Sequence, residues 1–173
     1  EKFILADAGG IWGNVVSDPY GVIEVLKWLI LKPSVVRELF SFYTDVVVER
    51  AKVLLEEGAD GILICEDYGM HGKSWMSPRQ FREFILPNLR RISATVVNKG
   101  GFFIIHTDGN VMPILDLLAI SGAHAYQSID KFSGMNLAEV KEKVGEKLCL
   151  IGNVDLNILA KGTVDDVKAE VKR

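Results

Sequence analysis

Short, nearly continuous apolar runs alternate along the chain with longer stretches whose apolar residues recur every three or four positions. The short runs are residues 3–8, 61–65, 102–106, 124–128 and 148–152, and they read as strands buried on both faces of a parallel sheet. Among the longer stretches, Val36, Leu39, Phe40, Tyr43, Val47, Ala51 and Leu54 share one helical face and predict a helix over 35–55. Pro33-Ser34 separates it from an earlier helix over 20–31, whose start is marked by Ser17-Asp18-Pro19. Gly58 closes the long helix and Ser77-Pro78 opens the next, within which Pro87 should introduce a kink. Further helices are expected over 110–120, ending at Gly122, over 136–144, ending at Gly145, and after a cap at Thr163.

Strands alternating with helices imply right-handed crossovers and a parallel α/β sheet. Five such units occupy the 173 residues, and eight of them would make a (β/α)8 barrel of typical size, about 250 residues. An open doubly wound sheet satisfies the same periodicity, so the pattern alone leaves both architectures standing.

Composition narrows the function classes. With 49% hydrophobic residues the chain has ample surface to bury, which excludes disorder. Its 20 Lys and Arg stand against 23 Asp and Glu, so there is no basic excess to neutralise nucleic-acid phosphates. Two cysteines, Cys65 and Cys149, make no disulfide framework; both read as core residues, with thiolate ligation a lesser reading for Cys65. Nothing resembles a secretory signal, and the expected compartment is the cytoplasm. Membrane spans are not expected, since even the apolar run 22–31 is cut by Glu24 and Lys27. The chain opens on Glu-Lys-Phe and stops inside a helix-like pattern, which reads as an excerpt from a longer protein. A barrel section with open sheet edges, expressed alone, is expected to aggregate or form a homodimer.

Polar residues gather at the carboxyl ends of the strands, which form the ligand-binding mouth in both candidate architectures. The first strand leads to Asp7, the second to Glu66-Asp67 and the third to His106-Thr-Asp108. The fourth leads to Gln127-Ser128 and the fifth to Asn153 and Asp155. Any one of these is an ordinary turn former; five of five point to a site. His106 and Asp108 lie two apart, so both can face one centre, where they suit a metal ion or a proton-transfer pair. The same spacing fits a histidine held by local hydrogen bonds beside a capping Asp108/Asn110 pair. Only one of Glu66 and Asp67 should enter the pocket unless the backbone turns. The Gly-bearing stretch that follows, a loop of about ten residues before Ser77, is long enough to act as a lid or binding loop. His71 reads as a solvated loop residue, His124 as structural, and Gly9 to Asn14 as a flexible pocket edge without a phosphate-loop pattern.

In order and spacing, five segments resemble the uroporphyrinogen decarboxylase family. They are Gly-Ala-Asp-Gly-Ile-Leu-Ile-Cys-Glu-Asp at 58–67, Ser-Pro-Arg-Gln-Phe-Arg-Glu-Phe-Ile-Leu-Pro-Asn-Leu-Arg-Arg at 77–91, His106-Thr-Asp-Gly-Asn110, Ile-Gly-Asn-Val-Asp at 151–155 and Gly-Thr-Val-Asp-Asp at 162–166. The resemblance implies a (β/α)8 TIM barrel, with residues 1–173 a partial barrel of about five strands that lacks amino-terminal units and a last βα unit. It also implies an enzyme of one of two branches. Decarboxylases of porphyrin and heme biosynthesis hold the substrate with an aspartate and arginines upstream, and usually lack a histidine at this strand end. Methyltransferases working with corrinoid proteins or coenzyme M carry His-x-Cys-Gly there, with Zn2+ held by the His, that Cys and a later Cys.

The methyltransferase branch is the better match, although Asp108 stands where the first Cys is expected. With that thiolate lost, ligand type and strand-end geometry suggest an oxygen-richer centre, with Glu66, His106 and Asp108 as catalytic and metal-binding residues. Asp7, Asp67, Gln127 and Asn153 would bind a small-molecule substrate, and a corrinoid would be carried by a partner protein. A porphyrinogen decarboxylase is the alternative, weakened by the scarcity of Lys and Arg at the strand ends, where only Lys73 and Lys131 lie near. A non-catalytic binding barrel with a degraded site is the third reading, and Asp108 is its support.

Overall fold

The computed structural model describes residues 2–17 and 20–172. In chain order the first elements are β1 (Leu5–Asp7), α1 (Trp12–Ser17), α2 (Val22–Leu31), α3 (Pro33–Glu56) and β2 (Gly61–Cys65). A small hairpin of β3 (Gly69–Met70) and β4 (Lys73–Ser74) follows, then α4 (Pro78–Gln80), a π-helical turn (Phe81–Ile85) and α5 (Leu86–Asn98). The remainder is β5 (Phe102–Thr107), a 3-10 turn (Met112–Ile114), α6 (Leu115–Ala119), β6 (Ala125–Ser128), a second 3-10 turn (Lys131–Ser133), α7 (Leu137–Val144), β7 (Cys149–Gly152), α8 (Leu156–Lys161) and α9 (Val164–Val171).

Strand order decides between the two architectures. The main sheet runs β1-β2-β5-β6-β7, entirely parallel, each strand beside the next one in sequence. A doubly wound sheet reverses direction at a switch point; this one never does, which is the winding of a (β/α)8 barrel wall. Its helices accordingly lie on one face.

Side chains on that face are sealed. Ile62, Ile64, Phe103, Ile105 and Tyr126 are at most 1% exposed, packed with Phe40, Val47 and Ala51 of α3 and Leu89, Ile92 and Val96 of α5. The alternate residues face the other way, and several stand open: Phe102 is 49% and Ile151 40% exposed. This corrects the expectation that both sheet faces are buried. Cys65 and Cys149, expected in the core, are both exposed, because their strand parity puts them on the face opposite the helices.

Pro87 does interrupt its helix, in the form of the π-turn immediately before it. The expected helix over 110–120 is instead a 3-10 turn followed by the short α6. The cap at Thr163 forms as expected, as a capping box with Asp166, and Asn136, expected as the first helical residue, stands as the N-cap of α7. Of the expected start signal for α2, Asp18 and Pro19 lie outside the described residues. No helix among the described residues is long and apolar enough to cross a membrane.

Candidate functional site

At the carboxyl ends of the strands, Cys65, His106, Gln127 and Ile151 occupy one row of register and share the open face. His106 is the centre of the arrangement. Its Nδ1 meets Gln127 Oε1, which only accepts, so Nδ1 carries a proton and Nε2 is the ring nitrogen left to face the mouth. Nε2 faces two carboxylates: Asp108 Oδ2 at 3.6 Å and Asp67 Oδ1 at 3.9 Å. Ser128 donates its hydroxyl to the other oxygen, Asp108 Oδ1. The Asp108 N–H donates to Asp67 Oδ1 at 3.2 Å, joining the two acidic residues through the backbone.

A neutral imidazole lone pair aimed between two carboxylates is repulsive unless a cation or an added proton sits among them. Ligand atoms of Asp67, His106 and Asp108 all lie within 4.8 Å of one another. A four-coordinate cation with bonds of ~2.0–2.2 Å has its ligand atoms roughly 3.3–3.6 Å apart, so little adjustment would close the set. Gln127 then plays the part usual for a ligating histidine, fixing its tautomer through the far nitrogen.

Glu66 is not brought to this cluster, and the expected set of Glu66, His106 and Asp108 is corrected by geometry: Asp67 takes the third place. Glu66 lies on the helix side, 1% exposed, and its carboxylate receives the N–H groups of Ile11, Trp12 and Gly13. Burial raises its pKa to about 7 against the opposing pull of those donors. Gly10 makes the seat, since a Cβ there would come within 2.7 Å of the carboxylate carbon. The segment from Gly9 to Asn14, expected to form a flexible pocket edge, is therefore built into the core around Trp12. Tyr68, wholly buried against Phe81, lies beside Glu66; burial and that neighbour hold its hydroxyl well above the ordinary tyrosine range.

The other expected residues divide. Asp7 is at the mouth, accepting the Gly9 N–H at 2.8 Å. It neighbours Cys65, whose thiol is pushed up to about 11 by desolvation and by the adjacent Asp7 carboxylate. Asn153 donates to the Ile129 carbonyl at 3.1 Å, so part of its amide serves the protein itself. Asp155 caps α8 and pairs with Lys131, which also pairs with Glu170 at 2.7 Å. His124 is structural as expected, accepting the Phe103 N–H at 3.0 Å, and His71 is an exposed loop residue.

The loop after β2 folds as the β3–β4 hairpin and is pinned to its neighbours. Gly69 donates to the Asp108 carbonyl at 3.2 Å, and Asn110 donates to the Met70 carbonyl at 3.0 Å. Gly69 and Gly109 touch backbone to backbone, a contact that a Cβ on either would prevent. Asp108 is thus clamped on three sides, by the hairpin, by Asp67 and by Ser128. Neither the hairpin nor the role of Ser128 was foreseen; the Gly69 and Gly109 pair was the available signal.

Comparison with known proteins follows the same lines. The family model "Uroporphyrinogen decarboxylase (URO-D)" matches residues 14–173. A methylcobamide:CoM methyltransferase MtaA of Methanosarcina barkeri is 30% identical over 167 residues, covering 95% of this chain and 47% of that protein. A uroporphyrinogen decarboxylase of Aliivibrio salmonicida is 23% identical over 79% of the chain and 37% of its own length. Among solved structures, a methyltransferase from Methanosarcina mazei superposes with a TM-score of 0.81 at 30% identity, over 98% of this chain and 48% of that one. The chain spans about half the length of the relatives it matches.

Proposed function

The chain belongs to the uroporphyrinogen decarboxylase family, and we propose that it serves an enzyme of the methyltransferase type, moving a methyl group from a small methylated substrate to a corrinoid or thiol carrier. The observation that carries this reading is His106, its tautomer set by Gln127 and its Nε2 turned to Asp108 and Asp67. A histidine at this strand end is the mark of the methyltransferase branch in the resemblance above. The relative from Methanosarcina barkeri, named for methyl transfer between methylcobamide and CoM, matches more of the chain at higher identity than the decarboxylase from Aliivibrio salmonicida.

The donor set is one imidazole and two carboxylates. It fits Zn2+ or a harder divalent cation, and is less suited than a thiolate pair to soft-metal chemistry. A cation held there would polarise a substrate oxygen, nitrogen or sulfur as a Lewis acid. Asp67, His106 and Asp108 would hold it; Gln127 and Ser128 would keep the imidazole and the Asp108 carboxylate in place. Asp7 and Cys65 stand on the same open face, where a substrate can reach them. The exposed carboxylates Asp7, Asp67 and Asp108 give the mouth an acidic character that disfavours a substrate with many carboxylates of its own, as a porphyrinogen has.

The test is a paired assay on the full-length protein: methyl transfer to or from free cobalamin, beside detection of coproporphyrinogen from uroporphyrinogen. Methyl transfer that falls roughly 100-fold in His106→Ala, without coproporphyrinogen, is the expected result. Coproporphyrinogen formation without methyl transfer would assign the decarboxylase reading, and neither activity would leave a binding barrel.

A further inference from the structure

Two consecutive residues at the end of β6, Ser128 (φ 109°) and Ile129 (φ 57°), have positive φ without being glycine. For a β-branched residue this is an outlier, and such strain persists only where the surroundings over-determine it. The surroundings here are specific. The Ile129 side chain is wholly buried, and Asn153 donates to its carbonyl at 3.1 Å. The Tyr126 hydroxyl donates to the Thr107 carbonyl at 3.5 Å, and the Ile129 backbone is among the groups that act on it. Gly152 pairs in register with Ser128, and any Cβ on it would collide with the Ser128 carbonyl oxygen. The ends of β5, β6 and β7 therefore all hold this one turn.

Strand parity shows what the turn accomplishes. Ser128 stands in register with Thr107, which is wholly buried on the helix side with Tyr126. In a regular strand exit Ser128 would point the same way. The positive φ re-aims it, and its hydroxyl reaches Asp108 Oδ1 on the mouth side. With Oδ1 taken, Oδ2 is the oxygen left facing His106 Nε2 at 3.6 Å. We infer that Tyr126, Gly152 and Asn153 are positioning residues that, through the left-handed Ser128–Ile129 turn, set the Asp108 carboxylate against His106. The inference rests on the reading of Asp67, His106 and Asp108 as the reactive centre, and it adds the frame that orients one of them.

The test uses the full-length protein as wild type, Ser128→Ala, Tyr126→Phe and Gly152→Ala. Crystal structures are determined without metal, and Co2+ is titrated in parallel with its visible absorption recorded. Expected are an Asp108 carboxylate turned away from His106 in every variant and Co2+ binding about 10- to 100-fold weaker, with an altered absorption band. Gly152 and Tyr126 touch none of the three proposed ligands, so a purely structural role would lower the melting temperature and leave the Co2+ spectrum alone. An unmoved Asp108 with unchanged Co2+ affinity would overturn the inference. If the wild type takes up no Co2+, the metal reading fails by itself, and the position of Asp108 in the metal-free variants still decides the positioning role.

Discussion

Glu66 and Asp67 are adjacent carboxylates with opposite fates, and the difference is one step of strand parity. Asp67 shares the mouth with His106, whereas Glu66 is enclosed among the N–H groups that open α1. Alternation along a strand says that only one of such a pair enters the pocket. It does not say which, because β2 is apolar on both faces and either could have been the helix side; the expectation of Glu66 failed on that point. Burial raises the folded pKa of Glu66 to about 7, above the ordinary glutamate value. The folded state therefore binds more protons than the unfolded state between roughly pH 4.5 and 7, and stability falls as pH rises through that window. Urea unfolding at pH 5 and pH 8 should show wild type losing on the order of 3 kcal/mol more than Glu66→Gln over that range. Parallel pH dependences in the two proteins would refute this account of Glu66.

At the scale of elements, the strands and most helix caps were legible, because apolar runs and Ser, Thr, Asn and Gly at termini act locally. Thr163 caps the helix that its position announced. What stayed hidden depends on contacts distant in sequence. The Gly9 to Asn14 segment has the composition of a mobile loop, yet Gly10 packs under Glu66, which lies 56 positions away. Gly10→Ala would place its Cβ 2.6 Å from the Cys65 carbonyl oxygen and 2.7 Å from the Glu66 carboxylate carbon. It should lower stability by about 1–3 kcal/mol, measured as a shift in the chemical denaturation midpoint. A neutral effect would show that the β1–α1 turn yields more easily than its packing indicates. The left-handed turn after β6 was equally out of reach, since Ser-Ile carries no sequence signal for positive φ.

Over the whole molecule, the strand-to-helix rhythm gave an α/β sheet and the winding order resolved its architecture. Five parallel strands in unbroken sequence order, with helices on one face, are the wall of a (β/α)8 barrel. The open opposite face explains why both cysteines left the core and why Phe102 and Ile151 are exposed. That open face ends at a mouth where His106 is oriented by Gln127 and faced by Asp108 and Asp67, which is the centre of the functional reading. Calorimetric titration of metal-free full-length protein with Zn2+ and with Co2+, beside His106→Ala and Asp67→Asn, addresses that centre directly. One equivalent bound by wild type, lost in His106→Ala and weakened about 10- to 100-fold in Asp67→Asn, is the result predicted. No binding by wild type, or binding indifferent to His106, would contradict it.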